Sequence, residues 1–169
     1  MKVKDIHLYT QDPNMNMEIG GYFEQNDKNM SIAFFPTSES RIVPGNTRHS
    51  IQLPNGGLVW HTHAFHMGWW PSYEDLTRMK DNVHILFTRF GAWIYKPARS
   101  KLRLDKRAYK KFHDYLFTLS EGWNPTDVVQ HIQGFASDFK TDFGLELYFI
   151  PYFFPNEFPN NKRISLLTV

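Results

Sequence analysis

Cysteine is absent from the 169-residue chain. That excludes disulfides and thiolate metal sites, and it leaves any metal to histidine, aspartate or glutamate. The absence also fits a reducing compartment. Long hydrophobic runs are missing: nothing approaches the roughly 18–20 apolar residues that span a bilayer, and Met1-Lys2-Val3-Lys4-Asp5 has no apolar signal core behind it. The expectation is a soluble, cytoplasmic protein with no membrane partner. Charge of one sign is scarce too. The formal net charge of +2 is too small to argue for a nucleic-acid partner. The basic residues do gather between Lys96 and Lys111; a solvated loop and helix face accounts for them, and an acidic or phosphate-bearing partner is the sharper reading.

Aromatic side chains, by contrast, are plentiful. They make up 17% of the chain, with 15 Phe, inside a hydrophobic share of 41%, which is a globular composition of a length that suits one domain. Phe and Asn in abundance without Cys also fit an AT-rich coding sequence, such as a virus expressing a protein in its host cell. There is no internal repeat and no low-complexity linker.

Met17–Glu24 and Met30–Phe35 read as two strands about the turn Asn26-Asp27-Lys28-Asn29. Residues 37–48 are loop-like, with a turn at Pro44-Gly45-Asn46, and His49–Leu53 reads as a short strand. Leu58–His63 is an apolar strand, 72–80 a helix, and Val83–Thr88 and Ala92–Tyr95 are further strands. The period then turns helical. Asp105 caps a helix through Ser120, with Tyr109, Phe112, Leu116 and Leu119 on one face. Asn124-Pro125 opens another helix to about Phe139, carrying Val128, Ile132, Phe135 and Phe139. Gly144–Ile150 is the last strand. The tail from Pro151 is rich in Pro, Phe and Asn, and its Ile164–Val169 end could add to a sheet edge. The order predicts an α+β fold, a mixed sheet packed between helices with additional C-terminal helices. The domain is expected over 1–150, and the tail over 151–169 offers a surface for a protein partner.

Chemistry concentrates in Leu58-Val59-Trp60-His61-Thr62-His63 and Pro71-Ser72-Tyr73-Glu74-Asp75. Residues i and i+2 of a strand share a face, so His61 and His63 can converge on one ion while Thr62 points away. Pro-Ser-x-x-Asp reads as a helix start with Ser72 at the N-cap. Two neutral nitrogens and a carboxylate oxygen are what a catalytic zinc takes from a protein while keeping a position for water. Each piece has an ordinary explanation alone: His-x-His arises readily among eight histidines, and Ser-x-x-Asp satisfies orphan helix N–H groups without metal. A third piece is Glu18, ahead of Gly20-Gly21. It is either a turn-ending acid before a glycine-rich strand, or a carboxylate leaning over the next strand end, where it could take a proton from a metal-activated water.

Together, Glu18-x-Gly20-Gly21, His61-x-His63 and Pro71-Ser72-x-x-Asp75 resemble the signature of the JAMM (MPN+) zinc metalloproteases, whose fold is related to that of cytidine deaminases. The resemblance covers roughly residues 15–96. It implies one Zn2+ held by His61, His63 and Asp75, Glu18 as general acid/base and Ser72 as an oxyanion donor. It also implies hydrolysis of peptide or isopeptide bonds that join ubiquitin or ubiquitin-like proteins to their conjugates. Two features depart from the pattern. Ala64 stands where the family has Pro, and the spacing from His63 to Ser72 is one residue longer, so Glu74 stays open beside Asp75 as third ligand. His66, Trp69 and Trp70 either line a substrate groove or pack over the helix start. The competing expectations are a non-catalytic MPN-like scaffold or structural binding protein, and a zinc amidohydrolase acting on another peptide.

Overall fold

The structure, a computed structural model, describes residues 1–24, 39–43, 53, 57–78, 82–95, 105–124, 126–128, 130–132, 147–151 and 167–168. Helix α1 (Val3–Gln11) precedes strands β1 (Gly20–Phe23), β2 (Arg41–Val43) and β3 (Gly57–Thr62). Helix α2 (Tyr73–Arg78) leads into β4 (Asn82–Phe87) and β5 (Gly91–Tyr95). Helix α3 (Lys106–Leu119), β6 (Leu147–Pro151) and β7 (Leu167–Thr168) follow. All seven strands among the described residues join one mixed sheet in the order β2-β1-β3-β4-β5-β6-β7. The fold is α+β.

Strand β3 sits inside the sheet, antiparallel to β1 and parallel to β4. A parallel neighbour needs a crossover, which the chain makes through α2. Burial on both faces explains why β3 and β4 read as near-continuous apolar runs and not as alternating ones. One face packs Trp60, Ile85, Phe87 and Ile94 against Val3 and Ile6 of α1. The other packs Leu86, Trp93, Tyr95 and Phe149 against Leu76 of α2, Tyr109 and Leu116 of α3, and the Trp69-Trp70 pair. The sheet therefore lies between helices, as the order of elements predicts.

Asp105 caps α3 by accepting from the Ala108 N–H at 2.7 Å, and Asn124 and Asp127 form a reciprocal cap, both bonds 2.9 Å. The helix that follows is described at 126–128 and 130–132 and buries Val128 and Ile132. On α3, Tyr109 and Leu116 face the core but Leu119 is exposed. Lys106, Arg107, Lys110 and Lys111 line the solvated side.

Two elements differ from the sequence reading. α1 was not expected, and β2 falls inside a stretch read as loop, where its polar Arg41 edge pairs with Tyr22 of β1. At the far edge, Leu167 and Thr168 pair with β6, as the tail's end suggested. Met30–Phe35, Pro44-Gly45-Asn46, most of His49–Leu53, Lys96–Arg103, Phe135 and Phe139 lie outside the described residues. Among the described residues no helix is long and apolar enough to cross a membrane.

Gly21 is where β1 fits between its neighbours. A Cβ there would stand 1.8 Å from the Arg41 carbonyl oxygen and 3.0 Å from the Trp60 ring. Gly21→Ala is expected to lower the unfolding free energy by about 2 kcal/mol or more, because backbone has to move to admit a methyl. Urea denaturation of both proteins measures it; an unchanged midpoint would contradict this packing.

Candidate metal centre

The end of β3 is held on both sides. The Thr62 N–H donates to Ile19 O at 2.8 Å, the His63 N–H donates to Phe87 O at 2.9 Å, and the Thr62 hydroxyl accepts from the Ile19 N–H at 3.0 Å. Thr62 thus faces away and fixes the strand, while His61 and His63 share the α2 face. Gly20 lies across from His61. The same antiparallel register carried two residues further sets half-buried Glu18 across from His63, near enough for its charge to act on the imidazole.

Asp75 reaches this point from α2. Ser72 and Asp75 form a capping box: the Ser72 Oγ accepts from the Asp75 N–H at 3.1 Å, and the Ser72 N–H donates to Asp75 Oδ2 at 2.7 Å. The same carboxylate then meets both histidines. His61 Nε2 is 3.1 Å from Oδ1 and His63 Nε2 is 3.2 Å from Oδ2. Donor atoms of the three residues all lie within 4.8 Å of one another.

The contacts are not simply hydrogen bonds in disguise. His61 Nε2 is buried and has no hydrogen-bond partner among the described residues, although Oδ1 is 3.1 Å away. The two atoms are within reach of each other, so the bond is missing for direction and not for distance. Ligands on a tetrahedral ion with bonds of about 2.0–2.1 Å stand about 3.3 Å apart, close to the spacing here. His61, His63 and Asp75 can hold a metal ion.

Without metal, the group is a charged pair. Burial alone would push the Asp75 carboxyl up, but the facing His61 and His63 outweigh it and hold it well below the carboxylate range. Burial would lower His63; the Asp75 carboxylate, with Glu18 behind it, more than offsets this and raises it.

A second layer aims the ligands. The His63 Nδ1–H donates to Gly68 O at 2.6 Å, leaving Nε2 for a cation. His61 Nδ1 lies 2.7 Å from Nε2 of His84 on β4. Burial, then the His61 charge, pushes His84 down to about 3, so it is neutral. The loop into α2 is clamped at four consecutive carbonyls. Besides Gly68, Trp69 O accepts from Trp93 Nε1 at 2.6 Å, Trp70 O from His113 Nε2 at 2.9 Å, and Pro71 O from the Tyr109 hydroxyl.

The structure brings Glu18, His61, His63, Ser72 and Asp75 to one place. It separates the open alternative: Glu74 turns outward and pairs with Lys106 Nζ at 3.2 Å. His66 is exposed and donates to Pro13 O at 3.1 Å. Trp69 and Trp70 are 1% exposed, so they pack the core and line no groove. His84, His113 and Tyr95 were not singled out from sequence. The signal for His84 was a histidine inside the apolar run Val83-His84-Ile85-Leu86-Phe87. No protein-family model, curated protein or solved structure matches the chain.

Two outcomes follow from this geometry. Asp75→Ala is expected to weaken metal binding by more than about 100-fold, whereas Glu74→Ala leaves it unchanged; chelator competition measures both, and the reverse order would transfer the ligand role to Glu74. In the metal-free protein, the depressed Asp75 contributes stability above about pH 4, lost as pH falls toward its folded value. The raised His63 contributes below about pH 6.5, lost as pH rises through its folded value. Thermal scans in chelator should therefore give a maximum between those limits that Asp75→Asn flattens.

Proposed function

We propose that this chain is a zinc-dependent hydrolase of the JAMM (MPN+) type, cleaving peptide or isopeptide bonds of ubiquitin or ubiquitin-like conjugates. The observation that carries the reading is the meeting of two imidazole nitrogens and one carboxylate at the end of β3, with Glu18 across from them. Borderline nitrogen donors with a single carboxylate suit zinc better than magnesium or calcium. The mixed sheet between helices gives the α+β class alone; the JAMM/MPN-like fold and the substrate class both rest on the likeness of Glu18-x-Gly20-Gly21, His61-x-His63 and Pro71-Ser72-x-x-Asp75 to that family's signature.

Bound zinc would supply Lewis acidity and bring the pKa of a coordinated water toward about 7. Glu18 would accept a proton from the attacking water as the new C–O bond forms, and would return it to the lysine or peptide amine as the C–N bond breaks. Ser72 spends its Oγ lone pair on the Asp75 N–H, which leaves its hydroxyl proton to donate to the oxyanion. His61, His63 and Asp75 would hold the ion.

Glu18→Gln is expected to keep stoichiometric zinc and lose about 100-fold or more of cleavage on a panel of ubiquitin-chain substrates, since an amide cannot accept the proton. Turnover at the original rate would reject the base assignment. Zinc bound without cleavage of any conjugate would favour the scaffold reading, cleavage of other peptides alone a different amidohydrolase. Ferrous iron in place of zinc would move the site to oxygen chemistry, because two histidines and one carboxylate also serve that metal.

A further inference from the structure

His84 is the least explained side chain near the site. It sits in the middle of β4 between Val83 and Ile85, 2% exposed, on the sheet face that carries His61. One side of its ring lies flat on Tyr95, its cross-strand partner, with centroids 5.2 Å apart and planes 2° apart. The His61 ring stands against it at 85°, centroids 4.7 Å apart, so that His61 Nδ1 and His84 Nε2 meet at 2.7 Å. Its other nitrogen, Nδ1, is buried without a hydrogen-bond partner among the described residues. Packing alone favours an apolar residue at such a place, since a buried polar atom left unpaired is costly. The histidine answers to something else.

Two imidazole nitrogens at that distance bond only when one carries a proton and the other a lone pair. For His61 to offer Nε2 to a cation, its proton must reside on Nδ1. His84 must then accept at Nε2 and keep its own proton on Nδ1. We propose that His84 is a positioning residue of the metal centre, a side-chain acceptor that orients His61 and keeps Nε2 of His61 directed at the ion. This rests on reading His61, His63 and Asp75 as a metal site. His63 has the same service from the Gly68 carbonyl, so the two ligand rings are steered by different means, one from backbone and one from a replaceable side chain. Tyr95 fixes the plane of the acceptor by stacking.

The test is zinc affinity of the full chain, by competition with a chromophoric chelator, in the wild type, His84→Phe and His84→Gln. Metal-free thermal transitions are recorded beside it. Phe keeps the stack on Tyr95 and removes the acceptor; Gln returns an acceptor oxygen at similar reach. The expected result is cooperative unfolding in all three, zinc binding weakened about 10- to 100-fold in His84→Phe, and recovery to within about threefold in His84→Gln. Wild-type affinity in a folded His84→Phe overturns the proposal, as does a His84→Gln no better than His84→Phe. Should His84→Phe fail to fold, long-range proton–nitrogen spectra of the zinc-loaded wild type decide: protons on Nδ1 of both His61 and His84 support it, and a proton on Nε2 of His84 overturns it. A wild type that binds no zinc removes the metal reading itself and this role with it, a result distinct from any variant's.

Discussion

The clamp on four successive carbonyls, Gly68 to Pro71, is the constraint on which the site depends. This stretch has no ladder of its own, yet each carbonyl takes a donor from a different side chain: His63, Trp93, His113 and Tyr109. Buried backbone acceptors need partners, and supplying them from the residue just after β3, from β5 and from α3 ties three parts of the fold to one irregular segment. The start of α2, and with it Asp75, is therefore placed by the core. His113 also abuts Gly68 so closely that a Cβ there would come within 2.4 Å of its ring. The residue whose carbonyl steers His63 has no room for a side chain.

Asp75 unites two roles that looked like rivals. As the third residue of the helix its carboxylate closes the capping box, and as a ligand it faces His61 and His63. Its two oxygens make this compatible, because Oδ2 receives the Ser72 N–H while Oδ1 accepts no backbone N–H among the described residues and lies 3.1 Å from the His61 nitrogen. The helix start and the candidate metal ligand are one structure, and the cap orients that carboxylate.

Much of the architecture was legible because it rests on local chemistry. Asp105 and Asn124 announced helix starts, and both make the expected cap bonds. The apolar runs at Leu58 and Val83 became the paired central strands. α1 was missed for a physical reason. Val3, Ile6, His7 and Thr10 do recur at helical spacing and are buried, but two of the four are polar and Lys2 offers no capping side chain. β2 was missed because exposed Arg41 and Ile42 gain strand geometry only from pairing with β1. At the site, strand alternation and the Ser-x-x-Asp cap were enough to bring His61, His63 and Asp75 together. The helix register set by Pro-Ser-x-x-Asp favoured Asp75 over Glu74, and the Glu74 side chain pairs instead with Lys106 on α3. His84 was out of reach, since its meaning comes from a neighbouring strand.

The donors and the proposed base differ in how far the chain must travel to assemble them. His63 and Asp75 are joined by the short segment 64–74, whereas Glu18 reaches His63 only when β1 and β3 pair antiparallel at the two ends of segment 19–62. Loop-closure entropy grows as the logarithm of length, so the longer closure costs about 1 kcal/mol more than the shorter before any contact repays it. The candidate grip on a cation thus belongs to a nearby crossover and the proposed reactivity to a distant pairing, and an assembling chain meets the first task at lower entropic cost than the second.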